Sequence, residues 1–158
     1  MTVGPESLSS MLTSCLGFAS QMLEDSGAFY PFAAVVQHDG IIGQVGFWNG
    51  EEHPSPGEIY AQAVEALQNK AASGEILAAA LAVNVDIPSE FSPAYPDGIR
   101  VQVESADYSR LVYLPYRISR VGLLRRTNRL EAGEMFAVEA PHALFHLASG
   151  DEGLSPSA

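Results

Sequence analysis

The chain has 158 residues, 47% hydrophobic and 17% charged, a composition that excludes intrinsic disorder and suits one globular domain. Its formal net charge of −11 argues against binding to nucleic-acid phosphates. The single cysteine excludes an internal disulfide framework, and the longest strictly apolar run, residues 76–83, is too short to cross a bilayer as a helix. Since the first basic residue is Lys70, no secretory signal is expected, and we expect a soluble, cytoplasmic protein without membrane contact.

The first predicted element is a helix of about five turns that starts at Ser7 as N-cap and ends at Gly27. Its apolar residues recur every three or four positions: Leu8, Met11, Leu12, Cys15, Phe18, Ala19, Met22 and Leu23. Because Cys15 lies within this stripe, we expect a buried, unreactive thiol.

Two strands are predicted next, over residues 29–37 and 41–48. They meet at His38-Asp39-Gly40, and an Asp-Gly pair between apolar runs indicates a hairpin, with His38 as a solvated turn residue. Pro31 cannot donate a hydrogen bond, so it marks a strand start or an exposed edge.

The second predicted helix begins with a capping box, Ser55-Pro56-Gly57-Glu58. Serine acts as N-cap, proline takes the first helical position and glutamate the third. An apolar face follows, and Gly74 ends the helix.

Three strands are predicted after this helix. Residues 76–87 form a strand buried on both faces, residues 99–104 alternate as a half-buried strand, and residues 108–118 return beside it. Residues 121–147 are ambiguous: 135–138 favour a strand and 141–147 a short helix. Residues 149–158 are predicted to be a disordered acidic tail.

The order α-β-β-α-β-β-β predicts one α+β domain over residues 1–148. We expect two layers, with two principal helices packed on a mainly antiparallel sheet of about five strands. The same order occurs in the roadblock and profilin-like folds, which this chain resembles in topology. Such small domains usually serve as binding or dimerisation platforms, an implication of the resemblance alone.

A local motif carries a second resemblance. Gly27-Ala28-Phe29-Tyr30-Pro31-Phe32-Ala33-Ala34, then Asp39-Gly40 and later Leu114-Pro115-Tyr116, is similar to a group of small uncharacterised bacterial proteins with a Gly-x-Phe-Tyr-Pro-Phe hairpin, several of them like the immunity partners of toxins. The resemblance implies a protein-binding role and brings no catalytic residues.

Charge is unevenly distributed along the chain. Residues 1–99 carry a net charge of −11 and residues 100–158 none, and five arginines fall close together: Arg117, Arg120, Arg125, Arg126 and Arg129. Such a segment can simply be solvated, or it can pair with the acidic half of its own fold or of a second copy. It can also hold an anionic ligand, because guanidinium matches carboxylate and phosphate. On these grounds we expect a homo-oligomer.

The candidate binding residues are Tyr30, Trp48, Tyr116, Arg117, Arg120, Arg125 and Arg126. Aromatic residues concentrate on the first hairpin, where some fill the core and others suit an interface or ligand cleft. Phosphate-loop, dinucleotide and nucleophile-elbow patterns are all missing. We therefore expect a non-catalytic protein that binds a protein partner or a small anionic ligand and needs no cofactor.

The alternative function is a metal-assisted hydrolase that uses His142, His146 and a carboxylate. On a helix, two histidines four residues apart share one face, and His53 or the pair Glu51-Glu52 can complete a tetrahedral set. Apolar neighbours of both histidines favour a packing role instead, so the expected metal site is none.

Overall fold

The computed structural model describes residues 3–145, so the expected tail at residues 149–158 lies outside it. Two helices and seven strands follow in this order: α1 Pro5–Ser26, β1 Phe32–Gln37, β2 Ile42–Gly46, α2 Pro56–Ala72, β3 Ile76–Asp86, β4 Asp97–Ser105, β5 Tyr108–Val121, β6 Thr127–Ala132 and β7 Phe136–Glu139. A short 3₁₀ turn, Ser89–Phe91, interrupts the loop between β3 and β4. The predicted α+β class is confirmed.

All seven strands form one antiparallel sheet in the order β2-β1-β3-β4-β5-β6, with β7 also paired to β5. β6 and β7 follow each other along the outer edge of the long strand β5, where the Gly133 N–H still donates to Pro115 O at 2.8 Å. The expectation of about five strands was close. β6 was missed because its sequence, Thr-Asn-Arg-Leu-Glu-Ala, shows little hydrophobic alternation.

The two helices lie on opposite faces of the sheet, so the expected two-layer arrangement was wrong. Strand side chains alternate in direction, and Ala34 and Ala80 pack in the cluster with α1 whereas Ala33 and Leu81 pack in the cluster with α2. Strands β1 and β3 are therefore buried on both faces, as the apolar run in β3 predicted, and a strand of this kind needs cover on each side.

The sequence predicted the start of α2 and the end of α1 correctly, but not the start of α1. The predicted start of α2 is confirmed, because Ser55 is the N-cap, its Oγ accepts from the Glu58 N–H at 3.1 Å, and Pro56 opens the helix. α1 begins at Pro5 with Gly4 as N-cap, three residues earlier than the predicted cap at Ser7. Its end is as predicted: Gly27 is left-handed, with φ of 79°, and its N–H donates to Leu23 O.

The last described segment, residues 141–145, is held on the α2 face by a buried carboxylate. Glu104 has no exposed surface, although the alternation in β4 predicted a polar, half-exposed face. Its Oε1 accepts from the N–H groups of Leu144 and Phe145 at 2.8 and 3.0 Å, and its Oε2 from Ala143 N–H at 2.9 Å and Gln102 Nε2 at 2.6 Å. The predicted helix over 141–147 is not formed within its described part.

Candidate ligand-binding site

A groove opens where β1 stops short of its neighbour. β1 begins at Phe32, opposite Ala82 of β3, whereas β3 continues to Asp86. Pro31, the residue before β1, has no N–H with which to extend the pairing. The last four residues of β3 therefore have no strand partner on the β1 side, and the amino-terminal turn of α2 closes the space above them.

The groove has a volume of about 420 Å³ and mostly apolar walls. That volume falls within the range of roughly 300–1,000 Å³ that small-molecule sites occupy. Its lining residues come from three elements and the segment before β1: Ala28, Phe29, Pro31, Pro56, Gly57, Tyr60, Val83, Asn84, Val85 and Arg100. Three of these, Tyr60, Asn84 and Arg100, carry polar side chains.

The guanidinium of Arg100 is the only charged group in the groove wall. It reaches the α2 face from the middle of β4, where it lies opposite Val83 of β3 and Tyr113 of β5. Its Nη2 donates to Tyr60 Oη at 3.2 Å, and its Cζ lies 5.8 Å from the centre of the Tyr60 ring. Within residues 3–145 no carboxylate forms an ion pair with Arg100, and its Nε is buried without a hydrogen-bond partner.

Asn84 lies on the opposite face of β3 from Arg100, because it pairs with Ile99 and alternates with Val83 and Val85. Its Oδ1 accepts from Tyr116 Oη at 2.8 Å, so Asn84 borders the groove from the α1 side of the strand. Burial raises the pKa of Tyr116, the hydrogen bond to Asn84 opposes that shift, and nearby Asp97 and Asp86 raise the pKa further. The phenol therefore stays protonated at neutral pH and keeps its role as donor.

A second cavity continues from the groove towards α1. It has a volume of about 350 Å³, shares Ala28, Phe29 and Pro56 with the groove, and adds Met22, Ser26 and Tyr30. The two cavities together offer an apolar space with Arg100 at one end. A ligand longer than the groove can extend past Phe29 into the second cavity.

The residues proposed from sequence divide into separate groups in the structure. Tyr30 lines the second cavity, and Tyr116 is buried and holds Asn84. Trp48 is 70% exposed in the loop before α2, where its Nε1 donates to Glu51 O at 2.9 Å, and it lines neither cavity.

The predicted arginines lie away from the groove, on the hairpin formed by β5 and β6. Arg117 Nε donates to Glu131 Oε1 at 2.6 Å, and this pair raises the pKa of Arg117 and lowers that of Glu131. The other three, Arg120, Arg125 and Arg126, are exposed. No contact in the structure bears on self-association, which stays a prediction.

The hydrolase alternative finds no support around His142. His142 Nε2 lies 2.9 Å from Ser105 O, and because a carbonyl can only accept, that nitrogen carries the proton, which leaves Nδ1 as the one ring nitrogen that can bind a metal. His146 lies outside the described residues. Among residues 3–145, no three histidine, cysteine, aspartate or glutamate side chains are grouped to hold a metal ion.

Arg100 and Tyr60 were missed by the sequence reasoning. Arg100 alternates with Ile99 and Val101, so the pattern predicts that it faces solvent. The available signal was the flanking strand: residues 76–83 were predicted to be buried on both faces, and a polar side chain paired with such a strand is itself at least partly covered.

Comparison with protein-family models, curated proteins and solved structures found no match to this chain. The motif resemblance and the roadblock-like topology therefore remain expectations. Neither helix in the described part of the chain is long and apolar enough to cross a membrane.

Proposed function

We propose that the protein is a non-catalytic binding protein whose groove holds an apolar molecule ending in a carboxylate or a similar anion. The observation that carries this proposal is the charge of Arg100, which lacks a counter-ion among the described residues in a mainly apolar wall. Arg100 is half-buried and its Nε is buried without a hydrogen-bond partner. Since an unpaired buried polar group is costly, an anion at this position would be stabilising.

The chemistry of the wall supports binding rather than catalysis. Its polar side chains are a guanidinium, a phenol and an amide, and the lining includes no carboxylate, imidazole, thiol or aliphatic hydroxyl. These three groups can orient a ligand. None of them is a side chain that ordinarily acts as a general base, and none is an activated nucleophile.

Binding requires a small movement of the arginine. Nε is now buried, and a rotation of the guanidinium would bring Nε and one Nη together onto a carboxylate as a two-pronged donor. The aliphatic part of the ligand would lie against Val83, Val85 and Phe29.

Isothermal titration calorimetry with matched pairs of ligands tests the proposal. The first pair is decanoate and decanol, and the second is 3-phenylpropanoate and 3-phenylpropanol. In each pair the first ligand carries a carboxylate where the second carries a neutral hydroxyl group. A hydrogen bond to a charged group contributes about 1.5–3 kcal/mol, which predicts a preference of about 10- to 100-fold for the carboxylate. Arg100→Gln should abolish that preference and leave alcohol binding unchanged.

Arg110→Gln is the matched control, because Arg110 lies on β5 outside the groove and its Nη2 is 3.7 Å from Glu139. Thermal unfolding followed by circular dichroism verifies that both variants are folded. The proposal is refuted if no carboxylate binds more tightly than its alcohol, or if the preference survives in Arg100→Gln.

A further inference from the structure

The hairpin of β5 and β6 extends beyond the rest of the sheet. The last pair between β4 and β5 is Asp97 with Tyr116, so residues 117–121 pair only with β6. The hairpin is anchored on the end of α1 just before its tip, where Glu24 Oε2 accepts from Leu130 N–H at 2.9 Å and Glu24 O from Asn128 Nδ2 at 3.2 Å. The tip, residues 121–126, is therefore a fixed projection.

The tip presents two adjacent, completely exposed leucines. Leu123 and Leu124 show 99% and 103% of their full accessible surface, and Val121 is 37% exposed. Gly122 makes the turn with φ of 108°, a conformation that favours glycine. Adjacent exposed leucines on a projection are uncommon on a soluble surface and indicate an interaction site.

The tip is also surrounded by positive charge. Arg120, Arg125, Arg126 and Arg129 are exposed, and none of them forms an ion pair with another residue in 3–145. Residues 117–130 contain five arginines and no acidic side chain. On a chain with a net charge of −11, these unpaired arginines make the tip a positively charged surface.

We propose that this tip docks on an anionic phospholipid surface, with the two leucines in the hydrocarbon boundary and the arginines among the headgroups. A narrow convex tip fits a deformable bilayer better than the flat patch that a symmetric dimer needs. The apolar groove beside Arg100 in a second copy is an unfavourable site for it, because Arg100 would repel the arginines. The expectation of no membrane contact rested on the lack of a spanning segment, which such docking does not require.

The acidic body does not prevent this orientation. Charges further from the surface than a Debye length, about 8 Å at physiological salt, are largely screened. Each arginine at an anionic membrane contributes about 1 kcal/mol, or about fivefold in binding. The projecting hairpin brings its arginines to the surface first and keeps the acidic residues of the body behind them.

Co-sedimentation with lipid vesicles tests the proposal. The protein should bind vesicles of phosphatidylcholine mixed with phosphatidylserine and bind pure phosphatidylcholine far more weakly. Arg125→Gln with Arg126→Gln should weaken binding about 25-fold by removing two charges, and Leu123→Ser with Leu124→Ser at least about tenfold. Ile41→Ser, an exposed apolar residue elsewhere, and Lys70→Gln are controls that should bind like the unmodified protein.

Absence of binding to the mixed vesicles overturns the proposal, and so does unchanged binding in either pair of tip variants. Light scattering without vesicles identifies the competing outcome. A dimer that becomes a monomer with Leu123→Ser and Leu124→Ser, in a protein that binds no vesicles, would assign the tip to self-association instead. Because none of these residues lines the groove, the result is independent of the proposed ligand binding.

Discussion

Replacing Glu104 with glutamine preserves the size of a fully buried side chain but removes its charge and one of its two acceptor oxygens. Each oxygen now accepts two hydrogen bonds, three from the backbone of residues 143–145 and one from Gln102. Whichever way the new amide is oriented, its NH₂ group faces two donors. Two hydrogen bonds are lost, two buried N–H groups are left without an acceptor, and the remaining two lose their charge assistance.

The expected loss of stability follows from these contacts. Hydrogen bonds to charged groups contribute about 1.5–3 kcal/mol each, and an unsatisfied buried donor costs about 1–3 kcal/mol. The neutral amide is easier to bury than a carboxylate, which offsets part of this loss. We expect Glu104→Gln to lower the free energy of unfolding by about 2–4 kcal/mol.

Urea unfolding followed by circular dichroism measures this difference. Glu139→Gln is the matched control, since the same change at a carboxylate whose side chain is 85% exposed should leave the unfolding midpoint unchanged. Hydrogen exchange should show early loss of protection at the amides of residues 143–145 in Glu104→Gln alone. A loss of less than about 1 kcal/mol would refute the reasoning that this carboxylate holds the carboxyl-terminal segment.

Three further predictions concern other parts of the chain. Ser55→Ala should cost about 1 kcal/mol, because Ser55 Oγ accepts from the Glu58 N–H, and an unchanged urea midpoint would contradict that capping role. Burial raises the pKa of the Cys15 thiol to about 12, so a thiol reagent at pH 8 should label it only after unfolding; labelling as fast as in urea would show an open core. This buried thiol should make the free energy of unfolding depend on pH. Stability should be fully present below the ordinary thiol pKa and should fall as the pH rises towards 12, because Cys15 of the unfolded chain loses its proton first. Deleting residues 149–158 should leave the melting temperature unchanged, since the groups that bind Glu104 all precede residue 146, and a fall of several degrees would show that the deleted residues contribute.

Features that depend on neighbouring residues were predictable from the sequence. The hairpin at Asp39-Gly40, the capping box at Ser55 and the end of α1 at Gly27 each result from interactions within a few positions. The burial of Cys15 followed from helical periodicity, because its stripe faces the sheet.

Features that depend on distant pairing were not predictable. The groove exists because β1 begins at Phe32 while β3 runs on to Asp86. Pro31 indicated the start of β1, but no local signal indicates which residue of β3 lies opposite that start. Arg100 and Glu104 alternate with apolar residues and were interpreted as a half-exposed face, yet α2 and residues 143–145 lie on that face. The burial of Glu104 and the partial burial of Arg100 depend on contacts with segments about 40 positions away.

The sequence predicted the charge of the exposed tip but not the exposure of its leucines. The cluster around Arg125 and Arg126 indicated an anionic partner, but the adjacent Leu123 and Leu124 gave no sign of full exposure. Their position at a turn beyond the last pair of β4 and β5 is what exposes them.

The central claim is that Arg100 is the anion-recognition group of the groove. The most direct measurement is the nuclear magnetic resonance signal of the Arg100 Nε–Hε group, assigned by its loss in Arg100→Gln, during titration with decanoate and with decanol. The account predicts that decanoate shifts this signal and slows its exchange with water, together with shifts at Val83 and Tyr60, and that decanol leaves it in place. Binding of decanoate with no change at Arg100 Nε would contradict the account.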